Sequence, residues 1–159
     1  MKDELLIKTT IACIACDGNI SKEEIATVEK LHPDYPYLSN LYQEVISKGI
    51  VFIKEYLDLL MITNFTKDEE LQVLDIAYKS ILADNVITYS EVSFFKVIRS
   101  FMKISDEQIL EHIPNMDCDF LSKDVFCSVE QIVSSYLKES APIDVVYNLE
   151  DLEDIQALL

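Results

Sequence analysis

Apolar residues recur along this chain at the three- and four-residue spacing that is typical of helices burying one face. Four of these runs begin after a serine or threonine that is followed three residues later by Glu or Gln, the capping-box signature of a helix start. Glycine and proline, which turn-rich β proteins need, number only 2 and 4. The pattern predicts an all-α protein built as a helical bundle. The four capping pairs are Ser21–Glu24, Thr66–Glu69, Thr88–Glu91 and Ser105–Gln108.

The predicted helices fill most of the chain from its start to Ile113. Residues 11–16 are apolar on every side, which predicts a first helix at the centre of the bundle. Ser39 is the expected cap of the third helix, and Gly49 is expected to break or bend the chain before the fourth. Acidic pairs such as Glu69–Glu70 are expected on solvated faces. The expected helices are, approximately, residues 2–16, 22–31, 39–48, 50–60, 66–83, 88–103 and 105–113.

After Pro114 the helical periodicity weakens. Residues 128–138 fit a helix, but the β-branched and aromatic residues in and before this stretch suit strands equally well. Residues 150–159 have the pattern of a short acidic amphipathic helix. We therefore expect a helical domain over residues 1–113 and an extension over residues 114–159 that packs on the domain or engages a partner.

One acidic motif occurs twice, and the same sequence offset separates every matched pair of positions. Each copy follows an apolar run and precedes an amphipathic one, so each predicts a helix–turn–helix unit. The bundle is therefore expected to consist of two pseudo-symmetric halves, with the repeated polar residues at the turns. The matching positions are Asp17/Asp84, Ile20/Ile87, Ser21/Thr88, Glu24/Glu91 and Ile25/Val92.

The repeated acidic residues are the candidate functional site. Asp17 and Asp84 follow the C-terminal ends of apolar helices, where the helix dipole disfavours a negative charge. Either each Asp bonds the backbone of the following turn, or a divalent cation neutralises it together with Glu24 or Glu91. Oxygen ligands of this kind suit Ca²⁺, Mg²⁺ and Mn²⁺. The candidate metal ligands are Asp17, Glu24, Asp84 and Glu91.

Other site chemistry is only weakly indicated. An EF-hand loop beginning at Asp17 fails, because Lys22 falls where the turn needs Gly and Val28 falls where the bidentate Glu belongs. Cys13 and Cys16 share a helix face and could bind zinc or act in redox chemistry, but no second CxxC accompanies them. The chain has no GxSxG, HExxH or glycine-rich phosphate loop. We therefore predict that the protein is not an enzyme and has no catalytic residue.

The formal net charge of −16 restricts the partners that the chain can bind. Nucleic acid and anionic membrane surfaces are disfavoured, and the acidic excess either serves solubility alone or attracts cations or a basic protein. The longest apolar runs are too short to insert in a bilayer, and the N-terminus lacks a basic targeting segment. The sequence therefore predicts a cytoplasmic protein whose four cysteines are reduced thiols.

The paired motif resembles the TerB-like family, which includes tellurite-resistance proteins and a domain of a membrane-anchored co-chaperone. The resemblance lies in a buried helix ending in Asp-Gly-x-Ile-Ser-x-x-Glu, repeated at residues 83–91, and it covers residues 5–113. It implies a helical sensing or scaffolding module that is linked to stress response and binds divalent metal at the repeated Asp and Glu residues. The implied partners are other proteins, including membrane-associated stress-response components. Asn19 and Asn85 depart from the family pattern, which has an acidic residue and Gly there.

Overall fold

A computed structural model describes residues 2–16, 19–83, 87–121 and 144–145. Within these ranges the chain forms seven α-helices, which confirms the all-α prediction. The predictions for residues 128–138 and 150–159 lie outside the described residues. The helices are α1 (Lys2–Ala15), α2 (Lys22–Leu31), α3 (Leu38–Lys48), α4 (Ile50–Ile62), α5 (Lys67–Leu82), α6 (Tyr89–Ser100) and α7 (Asp106–His112).

Two very short strands and a 3₁₀ turn complete the described elements. β1 (Asn19–Ile20) pairs in parallel with β2 (Asp144–Val145), so two residues of the C-terminal extension contact the first acidic motif. The 3₁₀ turn (Cys118–Phe120) carries Phe120 into the core, where its ring meets Tyr78 and Phe95 edge to face. The buried core therefore continues beyond residue 113 as far as Phe120.

All four predicted capping boxes form. In each box the Ser or Thr hydroxyl accepts a hydrogen bond from the third residue's backbone N–H. The side chain of that residue in turn accepts the N–H of the cap. Two backbone donors that an α-helix leaves unpaired at its start are satisfied in this way. Local sequence therefore sets where α2, α5, α6 and α7 begin.

The predicted cap at Ser39 was wrong. α3 begins one residue earlier, at Leu38, and its N-cap Tyr37 makes no side-chain capping bond within the described part of the chain. Leu38 is buried together with Leu41, so an earlier start brings both leucines onto the apolar face. Gly49 ends α3 and begins α4 with φ 58°, a region that glycine enters without steric cost, so the predicted break is confirmed.

The two halves of the repeat correspond in structure. When the offset of the repeat is added to the residue numbers of α1 and α2, the ranges become 69–82 and 89–98. These ranges nearly coincide with the observed α5 and α6. α1 is the central helix, as predicted: residues 11–16 are all buried, and α1 packs most extensively against α5. The fold is therefore a helical bundle of two pseudo-symmetric helix–turn–helix halves.

α1 and α5 run in the same direction. Leu6 and Val73, each in the first half of its helix, line one cleft, and further along both helices Ser80 Oγ lies 3.0 Å from Thr10 Oγ1. The helix ends at Ala15 and Leu82 therefore lie on the same side of the bundle. Both acidic turns follow these ends in the sequence.

The expectation that Glu69–Glu70 is solvated was wrong for Glu70, which is only 4% exposed. Its carboxylate accepts the backbone N–H of Lys103 at 2.9 and 3.0 Å and that of Ile104 at 3.4 Å. The loop between α6 and α7 leaves these donors without helical partners, and the buried carboxylate satisfies them.

None of the described helices is both long and apolar enough to cross a membrane.

Candidate functional site

The four candidate metal ligands are only partly covered by the described residues. Asp17 and Asp84 lie outside them. Glu24 and Glu91 are described, and both carboxylates complete capping boxes. Glu24 Oε1 accepts the Ser21 N–H at 3.1 Å, and Glu91 Oε1 accepts the N–H of its own cap at 3.1 Å. One oxygen of each glutamate therefore already has a structural role.

Glu91 lies close to the end of α1. It is 6% exposed, and its charge adds to burial in raising the pKa of the Cys13 thiol far above its ordinary value. Cys13 is in the last turn of α1, shortly before Asp17 in the sequence. The bundle therefore brings the glutamate of the second motif to the helix end that the first motif follows.

The described residues alone do not provide a complete metal site. Among them, no group of three or more His, Cys, Asp or Glu side chains is arranged to hold an ion. Hard divalent cations in proteins need several oxygen ligands. Because Glu24 and Glu91 each give one oxygen to a capping box, a cation at these turns would need Asp17 and Asp84 as well.

The buried state of Cys13 and Cys16 weighs against a zinc or redox site there. Both side chains are buried, and Cys16 Sγ donates to the Cys13 carbonyl oxygen at 3.1 Å. Burial, and then the charge of Glu91, raise the pKa of Cys13, so this group stays a neutral thiol. Metal binding and thiol exchange both need the thiolate.

A buried polar network joins α1, α5 and the end of α2. His32 Nε2 lies 2.7 Å from Thr10 Oγ1, Ser80 Oγ lies 3.0 Å from the same hydroxyl, and Ser80 donates to the Ile76 carbonyl at 2.6 Å. Burial lowers the pKa of His32, while the charge of Asp3 acts in the opposite direction. Thr10 is fully buried, so the network ties helices together and does not present a nucleophile to substrate. The sequence signal that could have indicated this network is the presence of hydroxyl residues, Thr10 and Ser80, within apolar helical runs.

Sequence reasoning also missed a cleft of about 490 Å³ between the start of α1, the end of α4 and the start of α5. Its position could not be read from the helix pattern, because residues far apart in sequence form its walls. The last turn of α4, which supplies Leu59 to the cleft, also exposes two large apolar side chains that do not line it, Met61 at 62% and Ile62 at 78%. The cleft is lined by apolar Leu5, Leu6, Leu59, Phe65 and Val73, and by polar Glu4, Lys8, Thr63, Glu69 and Gln72.

Comparisons of the chain with protein-family models, with curated proteins and with solved structures found no match to any of them. The TerB-like resemblance therefore rests on the repeated acidic motif alone. The function is inferred below from the described surface and from that motif.

Proposed function

We propose that this protein is a helical scaffolding module that acts by docking onto other proteins. The observation that carries the proposal is the cleft with its largely apolar lining, and the last turn of α4, which supplies Leu59 to it, also exposes Met61 and Ile62. Apolar clefts and exposed large apolar side chains are typical of interaction sites. The TerB-like resemblance favours the same role, with stress-response proteins, some of them membrane-associated, as the partners.

The proposed role is not catalytic. The thiols of Cys13 and Cys16 and the hydroxyl of Thr10 are buried, so a substrate does not reach these groups in the folded protein. Buried free thiols are typical of a reducing compartment, and the proposal therefore includes a cytoplasmic location.

Affinity capture after cross-linking in native cells tests the scaffolding role. The baits are the wild type, Met61→Asp/Ile62→Asp, and a chain ending at residue 145. Val51→Asp is the matched control, since Val51 is an exposed apolar residue at the opposite end of the same helix, away from the lining residue Leu59. We expect the wild type and the control to capture the same proteins, and at least one other bait to lose them. A wild type that captures no reproducible partner contradicts the proposal.

A second candidate function is the binding of a divalent cation at the acidic turns, with Asp17, Glu24, Asp84 and Glu91 as the ligands. Two observations favour it: the ends of α1 and α5 lie on the same side of the bundle, and Glu91 lies near the end of α1. A cation there would neutralise acidic groups that follow the negative ends of two helix dipoles.

A thermal-shift screen with Ca²⁺, Mg²⁺ and Mn²⁺ tests the cation hypothesis. A ligand that binds only the folded protein raises the free energy of unfolding by about 2.7 kcal/mol at a hundredfold excess over its dissociation constant. We expect one of these ions to raise Tm in the wild type but not in Asp17→Asn/Asp84→Asn. If the wild type does not respond and the variant is equally stable, the motif only organises turns and the scaffolding role stands without metal.

A further inference from the structure

We propose that the cleft between α1, α4 and α5 binds an amphipathic helix that presents apolar side chains beside Lys or Arg. This inference rests on the proposed scaffolding function, and it names the docking surface and the chemistry of the partner. Three properties of the molecule support it: the shape of the cleft, its polar groups and the charge of the chain.

The cleft has the shape and lining that suit a helix. Glu4–Lys8 on one wall and Glu69–Val73 on the other each span about one helical turn, roughly 6 Å. A partner helix can place side chains at positions i and i+3 or i+4 into such a space. Ile62, three residues after the lining residue Leu59 on α4, is exposed on the same side of this helix and would contact the next turn of the partner.

The polar groups of the cleft favour a basic partner. Glu4 and Glu69 give the cleft two carboxylates against one cation among the described lining residues, Lys8; Lys8 pairs with Glu4 at 3.2 Å, and Glu69 Oε1 accepts the Thr66 N–H at 3.0 Å. Gln72 Oε1 is buried and accepts no hydrogen bond from the described part of the chain. A buried acceptor without a donor is costly, and a Lys or Arg side chain would supply donors once the Gln72 side chain turns toward the cleft. The net charge of −16 would also accelerate the approach of a basic helix.

The acidic tail of the same chain is a poorer match for the cleft. Residues 144–159 include five Asp and Glu residues and no Lys, Arg or His. Like charges opposite Glu4 and Glu69 would disfavour docking of this segment. We therefore assign the cleft to a separate protein that carries a basic amphipathic helix, and occupation of the cleft by residues 122–143 of the same chain would overturn this assignment.

Fluorescence anisotropy with defined peptides tests the assignment on the full chain. The probe is a labelled helical peptide of roughly 18 residues, with Leu on one face and Lys on the other. One control peptide has the same composition in scrambled order, and another has Glu in place of Lys. We expect the Leu/Lys peptide to bind most tightly, and about tenfold more weakly to Met61→Asp/Ile62→Asp. Val51→Asp should bind within about twofold of wild type.

Amide chemical shifts, recorded during the same titration, locate the bound peptide. Shifts centred on Leu5, Leu59 and Val73 support the proposal. Three results would overturn the proposal. The scrambled peptide binds as tightly as the Leu/Lys peptide, Val51→Asp loses as much affinity as Met61→Asp/Ile62→Asp, or the chemical shifts lie outside the cleft. If the cleft fails in this way while affinity capture still finds partners that need residues 146–159, the scaffolding function stands and only the docking surface is wrong. Peptide binding at the cleft without any captured partner contradicts the scaffolding function alone.

Discussion

Ile20 and Ile87 occupy the same position in the two acidic motifs, yet Ile20 is fully buried and Ile87 is 43% exposed. Both are followed by a capping box with nearly the same distances. The difference comes from tertiary neighbours, because Ile20 packs in the hydrophobic core, and its strand β1 also pairs with β2 of the C-terminal extension. Local sequence therefore sets the turn and the helix start, whereas distant residues decide how deeply each copy is buried.

The largest expected effect is the loss of a buried side chain in the first motif only. Ile20→Ala should lower the free energy of unfolding by about 3 kcal/mol, because it removes a fully buried group and leaves a cavity. Ile87→Ala should cost about 0.5 kcal/mol, as is usual for an exposed side chain. Urea denaturation of the two variants measures both values. Equal losses would mean that the two motifs are buried alike.

For the two capping glutamates we expect the opposite order: the second motif should lose more stability than the first. Glu91→Ala should lower the free energy of unfolding by about 2 kcal/mol, because it removes a buried carboxylate that accepts both the N–H and the hydroxyl of Thr88. Glu24→Ala should cost about 1 kcal/mol, since solvent reaches its partly exposed capping box. The same denaturation experiment compares them. A larger loss for Glu24→Ala would contradict the described burial of these carboxylates.

Removal of the cap hydroxyls should affect the two motifs equally. Ser21→Ala and Thr88→Ala should each lower the free energy of unfolding by about 1 kcal/mol, because each leaves one helix N–H without its acceptor. Thermal denaturation followed by circular dichroism provides the comparison. Ser39→Ala is the control, since Ser39 lies within the first turn of α3 and does not cap it. If Ser39→Ala loses as much stability as the other two variants, removal of any hydroxyl explains the result and capping does not.

The smallest expected effect is a pH dependence confined to the first half of the repeat. His32 in the first half corresponds to Arg99 in the second, and only the histidine titrates near neutral pH. Because burial lowers the pKa of His32 in the folded state, its contribution to stability is complete above the unfolded-state pKa of about 6.5 and falls as the pH decreases below that value.

Wild type and His32→Gln, compared by urea denaturation at several pH values, measure this contribution. The stability difference between the two proteins should change below about pH 6.5 and stay constant above about pH 7.5. A difference that remains constant throughout the acidic range would contradict the described environment of His32.

The sequence predicted those features that depend on neighbours along the chain. The capping boxes, the break at Gly49 and the buried face of α1 all follow from residues within a few positions of one another. Glu70 was misassigned because its partners, Lys103 and Ile104, lie far along the chain in the loop before α7. The cleft was missed for the same reason, since α1, α4 and α5 each supply part of its walls. In the candidate site, only the capping role of Glu24 and Glu91 was readable locally.

The pairing of β1 with β2 has a consequence for the order of folding during synthesis. Ile20 and its partner Val145 lie near opposite ends of the sequence, so this contact closes a very long loop. The helices of both halves can form from local contacts while the ribosome is still making the rest of the chain. Until residue 145 emerges, the backbone of β1 is an unpaired strand edge that another nascent chain could pair with. The extension thus protects the first half of the molecule only after residue 145 has been made.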